Sequence, residues 1–121
     1  SSAVYAGSTA KSRTGAIQIR SNKSADGIVT TTSGGNIRKV VVVWDSATSD
    51  KGDRILDVYG SATAYSSAAD LYDSTTQGTK LGSITCGTAT ELEIPAGNYA
   101  FVGLRSQNGA MYLTSIELSY E

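Results

Sequence analysis

At 121 residues, with 40% apolar residues and a net charge of −1, this chain has the makings of one domain around one core. It has no charge excess that would steer anions or cations as a class. There is no histidine, which excludes a Ser-His-Asp or Cys-His nucleophile and any His-ligated metal.

Thirteen Gly, a single Pro and many Ser and Thr favour an all-β fold. The chain opens on SSAVYAG without an initiator Met, which reads as a processed product or an excised module. Turn signals recur every ~8–12 residues, the rhythm of sandwiches and barrels. They bound eight expected strands: Ala16–Ser21, Gly27–Thr32, Ile37–Trp44, Arg54–Gly60, Lys80–Thr85, Thr90–Ile94, Tyr99–Ser106 and Ala110–Tyr120. Eight antiparallel strands point to a two-sheet β-sandwich of jelly-roll order, with a small closed barrel as the alternative.

In chain order, the first third is basic. Residues 1–40 hold Lys11, Arg13, Arg20, Lys23, Arg38 and Lys39 against Asp26 alone. These charges are scattered along strands and turns, the sequence pI is about 5.3, and no aromatic RNA- or DNA-binding motif appears. A nucleic-acid partner is therefore not expected. The run Val40–Val43 before Trp44 predicts a central strand, covered on both faces or passing between two environments. Trp44 itself reads as core or rim rather than as a platform for a ligand. The loop from Asp45 to Asp53 is rich in oxygen, and Asp45, Asp50 and Asp53 form a weak candidate Ca²⁺ set, though not at EF-hand spacing. A polar hairpin loop is the plainer reading.

The segment Ser61–Thr79 is longer than a hairpin turn, holds Tyr65 and Tyr72, and has room for a short helical turn around Ser67–Leu71. Cys86, the single cysteine, forms no internal disulfide. Its alternating context LGSITCG makes it a small buried or edge residue with no evident base. Gln107-Asn108-Gly109 carries Asn-Gly, a strong hairpin signal. In the last strand, Tyr112, Thr114, Ile116, Leu118 and Tyr120 read as the inner face; Leu113, Ser115, Glu117 and Ser119 read as the outer one. No stretch approaches the ~18 apolar residues of a membrane span.

Two segments echo each other. AIQIRSN and YAFVGLRSQ both end an alternating strand in Arg-Ser-amide, at Arg20 and Arg105. If their turns share one end of the sandwich, two guanidinium forks and their neighbouring amides, Asn22 and Asn108, would converge. Sugars present apolar C–H faces and rings of hydroxyls, so an aromatic surface beside such polar groups suits them. Tyr65 and Tyr72 supply that surface in this reading, with Asp57 and Tyr59 as contributors. The competing reading has both arginines capping loop carbonyls and both tyrosines anchoring the long loop. Eleven acidic residues are present, but nothing in their spacing sets two of them about 5–10 Å apart across a cleft, as glycoside hydrolysis needs. No catalytic residue is assigned, and the chain reads as a non-enzyme.

The stretches LDVYGSATAY, YAFVGLRSQNGAMYL and SIEL resemble the galactose-binding-like (discoidin-type) β-sandwich. Together with AVYAG, GAIQIRSN, GIVTTTSGG and QGTKLGSI, they also resemble a module of secreted multidomain proteins of gut Bacteroidetes. The resemblance implies a jelly-roll sandwich and a secreted or cell-surface bacterial setting beside flanking domains. It further implies a non-catalytic accessory role, with a polysaccharide or glycan as partner and a structural Ca²⁺ in some members. Such sandwiches also serve as spacers and adhesion units. A monomer is expected.

Overall fold

The computed structural model describes residues 4–6, 17–21, 26–46, 48 and 54–121. Among them, nine strands form two antiparallel sheets. They are β1 (Val4–Ala6), β2 (Ile17–Ile19), β3 (Ile28–Thr30), β4 (Ile37–Trp44), β5 (Ile55–Ser61), β6 (Thr79–Thr85), β7 (Glu91–Glu93), β8 (Phe101–Ser106) and β9 (Met111–Tyr120). One sheet has the order β1-β3-β8-β5-β6, the other β2-β9-β4-β7. The chain is therefore an all-β sandwich; two sheets with separate edges replace the closed-barrel alternative. The eight expected strands are present. The ninth, β1, pairs with β3 through Val4–Thr30, Tyr5–Val29 and Ala6–Ile28.

The two sheets enclose one apolar core, with Ile19, Ile37, Val40, Val42, Leu56, Val58, Leu104 and Leu113 all essentially inaccessible. β4 lies inside its sheet, as its β-branched run demands, but its outer face is open. Val43 is 49% exposed, so the strand is not covered on both sides.

Two bulges explain where simple alternation fails. Val43 pairs with Ser115 and Trp44 with Leu113, which leaves Thr114 as an extra residue in β9. Before the bulge, Met111 and Leu113 face inward; after it, Ile116, Leu118 and Tyr120 do. The expected outer placement of Leu113 is thus corrected: the bulge exchanges the faces, and Leu113 is buried. A second bulge at Arg38 in β4 sets Ile37 and then Val40 and Val42 on the same inner side.

The segment between β5 and β6 is a strap, residues 62–78, laid along the outer face of the five-stranded sheet. It contains the short 3-10 helix Ala68–Tyr72, close to the expected helical turn. Ser67 caps that helix and Asp70 bonds back to the cap backbone, a reciprocal pair that fixes the turn. Leu71, Tyr65 and Tyr72 pack with Val29, Tyr59 and Phe101 in a second small core outside the sheet. Gly103 and Gly27 make room for this, since a Cβ at either would crowd Leu71. A covered outer face explains why β3 and most of β5 are buried residue after residue.

Four connections, β2–β3, β4–β5, β6–β7 and β8–β9, cross between the sheets at the same end. Backbone bonds tie them together there: Cys86 N–H donates to the Arg54 carbonyl at 2.9 Å, Gln107 N–H to that of Ile55 at 2.9 Å, and Asp45 N–H to that of Tyr112 at 2.9 Å. This crossover end carries the turns after Arg20 and Arg105 and the cleft described below.

Candidate functional site

The two Arg-Ser motifs do meet. Gly109 N–H donates to Ser21 Oγ at 2.7 Å, and Ser106 Oγ donates to the Gly109 carbonyl at 2.7 Å. Gly109 holds φ +69°, the left-handed conformation that the Asn-Gly turn requires. The guanidinium groups, however, are committed to the protein itself. Arg20 Nε donates to Asp26 Oδ2 at 2.8 Å, and the Arg20 backbone N–H donates to the same oxygen at 2.9 Å. That hydrogen bond to a fully buried carboxylate raises the pKa of Arg20 above its ordinary value. Arg105 Nη1 donates to the Leu71 carbonyl at 2.7 Å, and its Cζ lies 4.3 Å from the centre of the Tyr72 ring. Arg105 Nε is buried without a hydrogen-bond partner among the described residues.

Tyr72 completes the chain of contacts: its hydroxyl donates to the Asp26 carbonyl at 2.8 Å. Arg20, Asp26, Tyr72 and Arg105 thus form one latch between the β2–β3 connection, the strap and β8. Tyr65 is 3% exposed, and its hydroxyl donates to the Gln77 carbonyl at 2.8 Å. Burial pushes its pKa far up. Burial also raises that of Tyr72, and the nearby Arg105 charge opposes the shift. Neither ring is the open stacking surface the sequence reading gave it. Asn108 Oδ1 accepts from Ile55 N–H at 2.9 Å and locks the hairpin turn. Asp57 and Tyr59 share an outer strand face as expected. That face lies under the strap, with Asp57 bonded to Ser83 and Gln107 and paired with Lys80 at 3.3 Å. Asn22 lies outside the described residues. A polar recess of about 290 Å³ remains beside Arg20, lined by Gln18, Ser21, Gly109 and Ala110.

Asp50 and Asp53 also lie outside the described residues, and Asp45 alone of the proposed Ca²⁺ set is placed. No group of three ligating side chains gathers among the described residues. Cys86 is buried, as its context required.

The larger opening at the crossover end lies between the β4–β5 and β6–β7 connections. It is a cleft of about 490 Å³ lined by Trp44, Asp45, Ser46, Thr48, Cys86, Gly87, Thr88, Ala89 and Thr90. Its walls are pinned from both sides. Trp44 Nε1 donates to the Ala89 carbonyl at 3.0 Å, and Val42 N–H to that of Thr90 at 2.8 Å. Thr88 and Ala89 N–H both return to the Thr85 carbonyl, closing a tight turn. Thr48 Oγ1 stands 2.8 Å from both the Tyr112 carbonyl and the Tyr112 N–H, accepting from the latter.

Sequence reasoning read Trp44 as core or rim rather than as a platform, and gave Asp45 to a metal; Trp44 is half-buried against the core and also lines this cleft. The partners across the cleft, Thr88 to Thr90, carried no signal. A Trp-Asp-Ser step leaving an apolar strand was the one hint.

Comparison with family models, with curated proteins and with solved structures found no match to this chain. Among the described residues, no helix is long and apolar enough to cross a membrane.

Proposed function

We propose that the chain is a non-catalytic carbohydrate-binding module of a secreted or surface protein, holding a glycan at the crossover end of the sandwich. The observation that carries this is the open cleft in which an indole, a carboxylate and several hydroxyls stand side by side. Apolar ring surface beside a few placed polar groups is the combination a sugar needs. Backbone bonds on both walls fix the cleft before any ligand arrives, which lowers the ordering cost of binding. The nested strand pairing supports the jelly-roll, galactose-binding-like reading of the sandwich: β5 with β6, β4 with β7, β3 with β8, β2 with β9. A functional role for that kinship is part of the proposal.

A second reading, a structural spacer or protein-interaction unit, is favoured by the latch. Arg20, Arg105, Tyr65 and Tyr72 all spend their polar groups holding the strap in place. An array of plant and host glycans, with affinity gels for polymers, separates the two readings. The module retains at least one class of saccharide; a spacer retains none. A reducing-end assay on the retained polymer stays at background for a binding module. Release of sugar would overturn the non-catalytic assignment.

A further inference from the structure

The lining of the cleft divides into groups the fold has used and groups it has left open. Trp44 has one polar group, the Nε1–H, and that hydrogen is given to the Ala89 carbonyl. What the indole offers a ligand is therefore carbon surface alone, fixed in orientation by that bond and by its packing on the core. Thr48 is used as well. Its hydroxyl donates to the Tyr112 carbonyl and accepts from the Tyr112 N–H, both at 2.8 Å. Asp45 likewise has partners within the chain. The hydroxyls of Ser46, Thr88 and Thr90 are different. These residues are exposed and stand on the two walls of the cleft. Thr88 spends its backbone N–H on the Thr85 carbonyl, and Thr90 accepts the Val42 N–H on its own carbonyl. None of the three side-chain hydroxyls has a hydrogen-bond partner among the described residues. A hydroxyl donates and accepts at once, and it rotates to suit its partner. The ligand groups that answer it in both senses are hydroxyls; an ether or ester oxygen can only accept.

From this division, and resting on the glycan-binding reading above, we infer that the cleft reads a sugar by its free ring hydroxyls, with Ser46, Thr88 and Thr90 as the specificity-determining residues. The C–H face of the ring lies on the Trp44 indole, and the hydroxyls on its rim exchange hydrogen bonds with the two walls. The ligand class is a pyranose whose hydroxyls are unsubstituted. Deoxy, O-methylated and O-acetylated units withdraw the donors this lining is able to accept from, so they bind more weakly. A volume of about 490 Å³ has room for roughly one or two sugar rings, within the range of small-molecule sites.

Trp44 is the chain's only tryptophan, so its emission reports on this cleft. The test titrates the whole chain with each oligosaccharide that the array retains, native and per-O-methylated, following tryptophan emission with calorimetry in parallel. The native sugar is expected to shift or quench the emission saturably, and its methylated form to bind roughly tenfold more weakly or worse. Thr88→Val and Thr90→Val keep the branched shape and remove the hydroxyl. Each is expected to weaken binding of the native sugar about two- to tenfold, the scale of one neutral hydrogen bond, while the urea midpoint stays that of the wild type. Thr48→Val, which loses both bonds to Tyr112, is expected to lower that midpoint. An unchanged midpoint there overturns the division between used and open groups. Wild-type affinity in both Thr88→Val and Thr90→Val, or equal binding of the methylated sugar, overturns the hydroxyl readout while leaving the glycan-binding reading intact. Calorimetric binding with silent tryptophan emission overturns the cleft as its seat. No retained glycan of any class overturns both readings together.

Discussion

Burial separates residues that looked alike in the sequence. Tyr65 and Tyr72 both sit in a long loop, yet each gives its hydroxyl to a backbone carbonyl, of Gln77 and of Asp26. Tyr65→Phe removes one hydrogen bond and leaves the Gln77 carbonyl short of a donor. It should lower unfolding free energy by about 1 kcal/mol in urea titrations. The raised pKa values give a pH dependence with a definite sign. A phenol whose folded pKa lies above its unfolded value binds its proton longer when folded. Its contribution is complete below the ordinary tyrosine pKa of about 10 and declines as pH rises beyond it. Stability should therefore fall above about pH 10, and Tyr65→Phe should fall less steeply than the wild type. Phenolate absorbance should show Tyr65 ionising only with unfolding and Tyr72 ionising above the ordinary tyrosine range. The Arg-Ser echo was legible as a pair of turns that meet, and they do meet at Gly109. The competing reading, arginine on a loop carbonyl and tyrosines anchoring the long loop, is the arrangement found for Arg105, Tyr65 and Tyr72; that Arg20 would turn to the Asp26 carboxylate was not legible, because strand periodicity does not fix that partner.

At the scale of the element, the strap and the β9 bulge decide the most. Leu71 fills the space left by Gly103 and Gly27, and it is fully buried. Leu71→Ala should cost about 2–4 kcal/mol, the usual range for a large buried side chain cut to Ala. Gly103→Ala should cost about 1–3 kcal/mol by forcing the strap outward. Both values are read from urea midpoints, and limited proteolysis should cut first between residues 62 and 78 in each variant. Deleting Thr114 removes the extra residue and leaves strict alternation along β9, with Met111, Leu113, Ile116, Leu118 and Tyr120 still on the inner face. The deletion variant should therefore keep a cooperative unfolding transition in urea. Strand β4 was legible to the residue because its β-branched run is bounded by Gly-Gly-Asn before and Asp-Ser after. The face assignment of β9 held for Ile116, Leu118 and Tyr120 and failed before the bulge, at Tyr112 and Leu113, because a bulge leaves no mark in a period-two pattern.

Across the whole molecule, the two sheets divide the work. In the five-stranded sheet, β3, β8 and most of β5 are covered on both faces, by the shared core and by the strap. The four-stranded sheet is open on one side, where Val43, Glu91, Glu93 and Glu117 meet solvent. The cleft and the recess beside Arg20 both lie where the chain crosses between sheets. The all-β class and eight of the nine described strands were legible in composition and turn spacing, which act locally. The cleft came from neither, since Trp44–Thr48 and Cys86–Thr90 are about forty residues apart and only the nested pairing brings them together. Backbone-amide chemical shifts, recorded while a retained oligosaccharide is added to isotope-labelled protein, test the central claim most directly. Perturbations confined to residues 44–48 and 86–90, with the strap and β8 unmoved, are the predicted result. Perturbations centred on Tyr65, Tyr72 and Arg105, or none at saturating sugar, would contradict it.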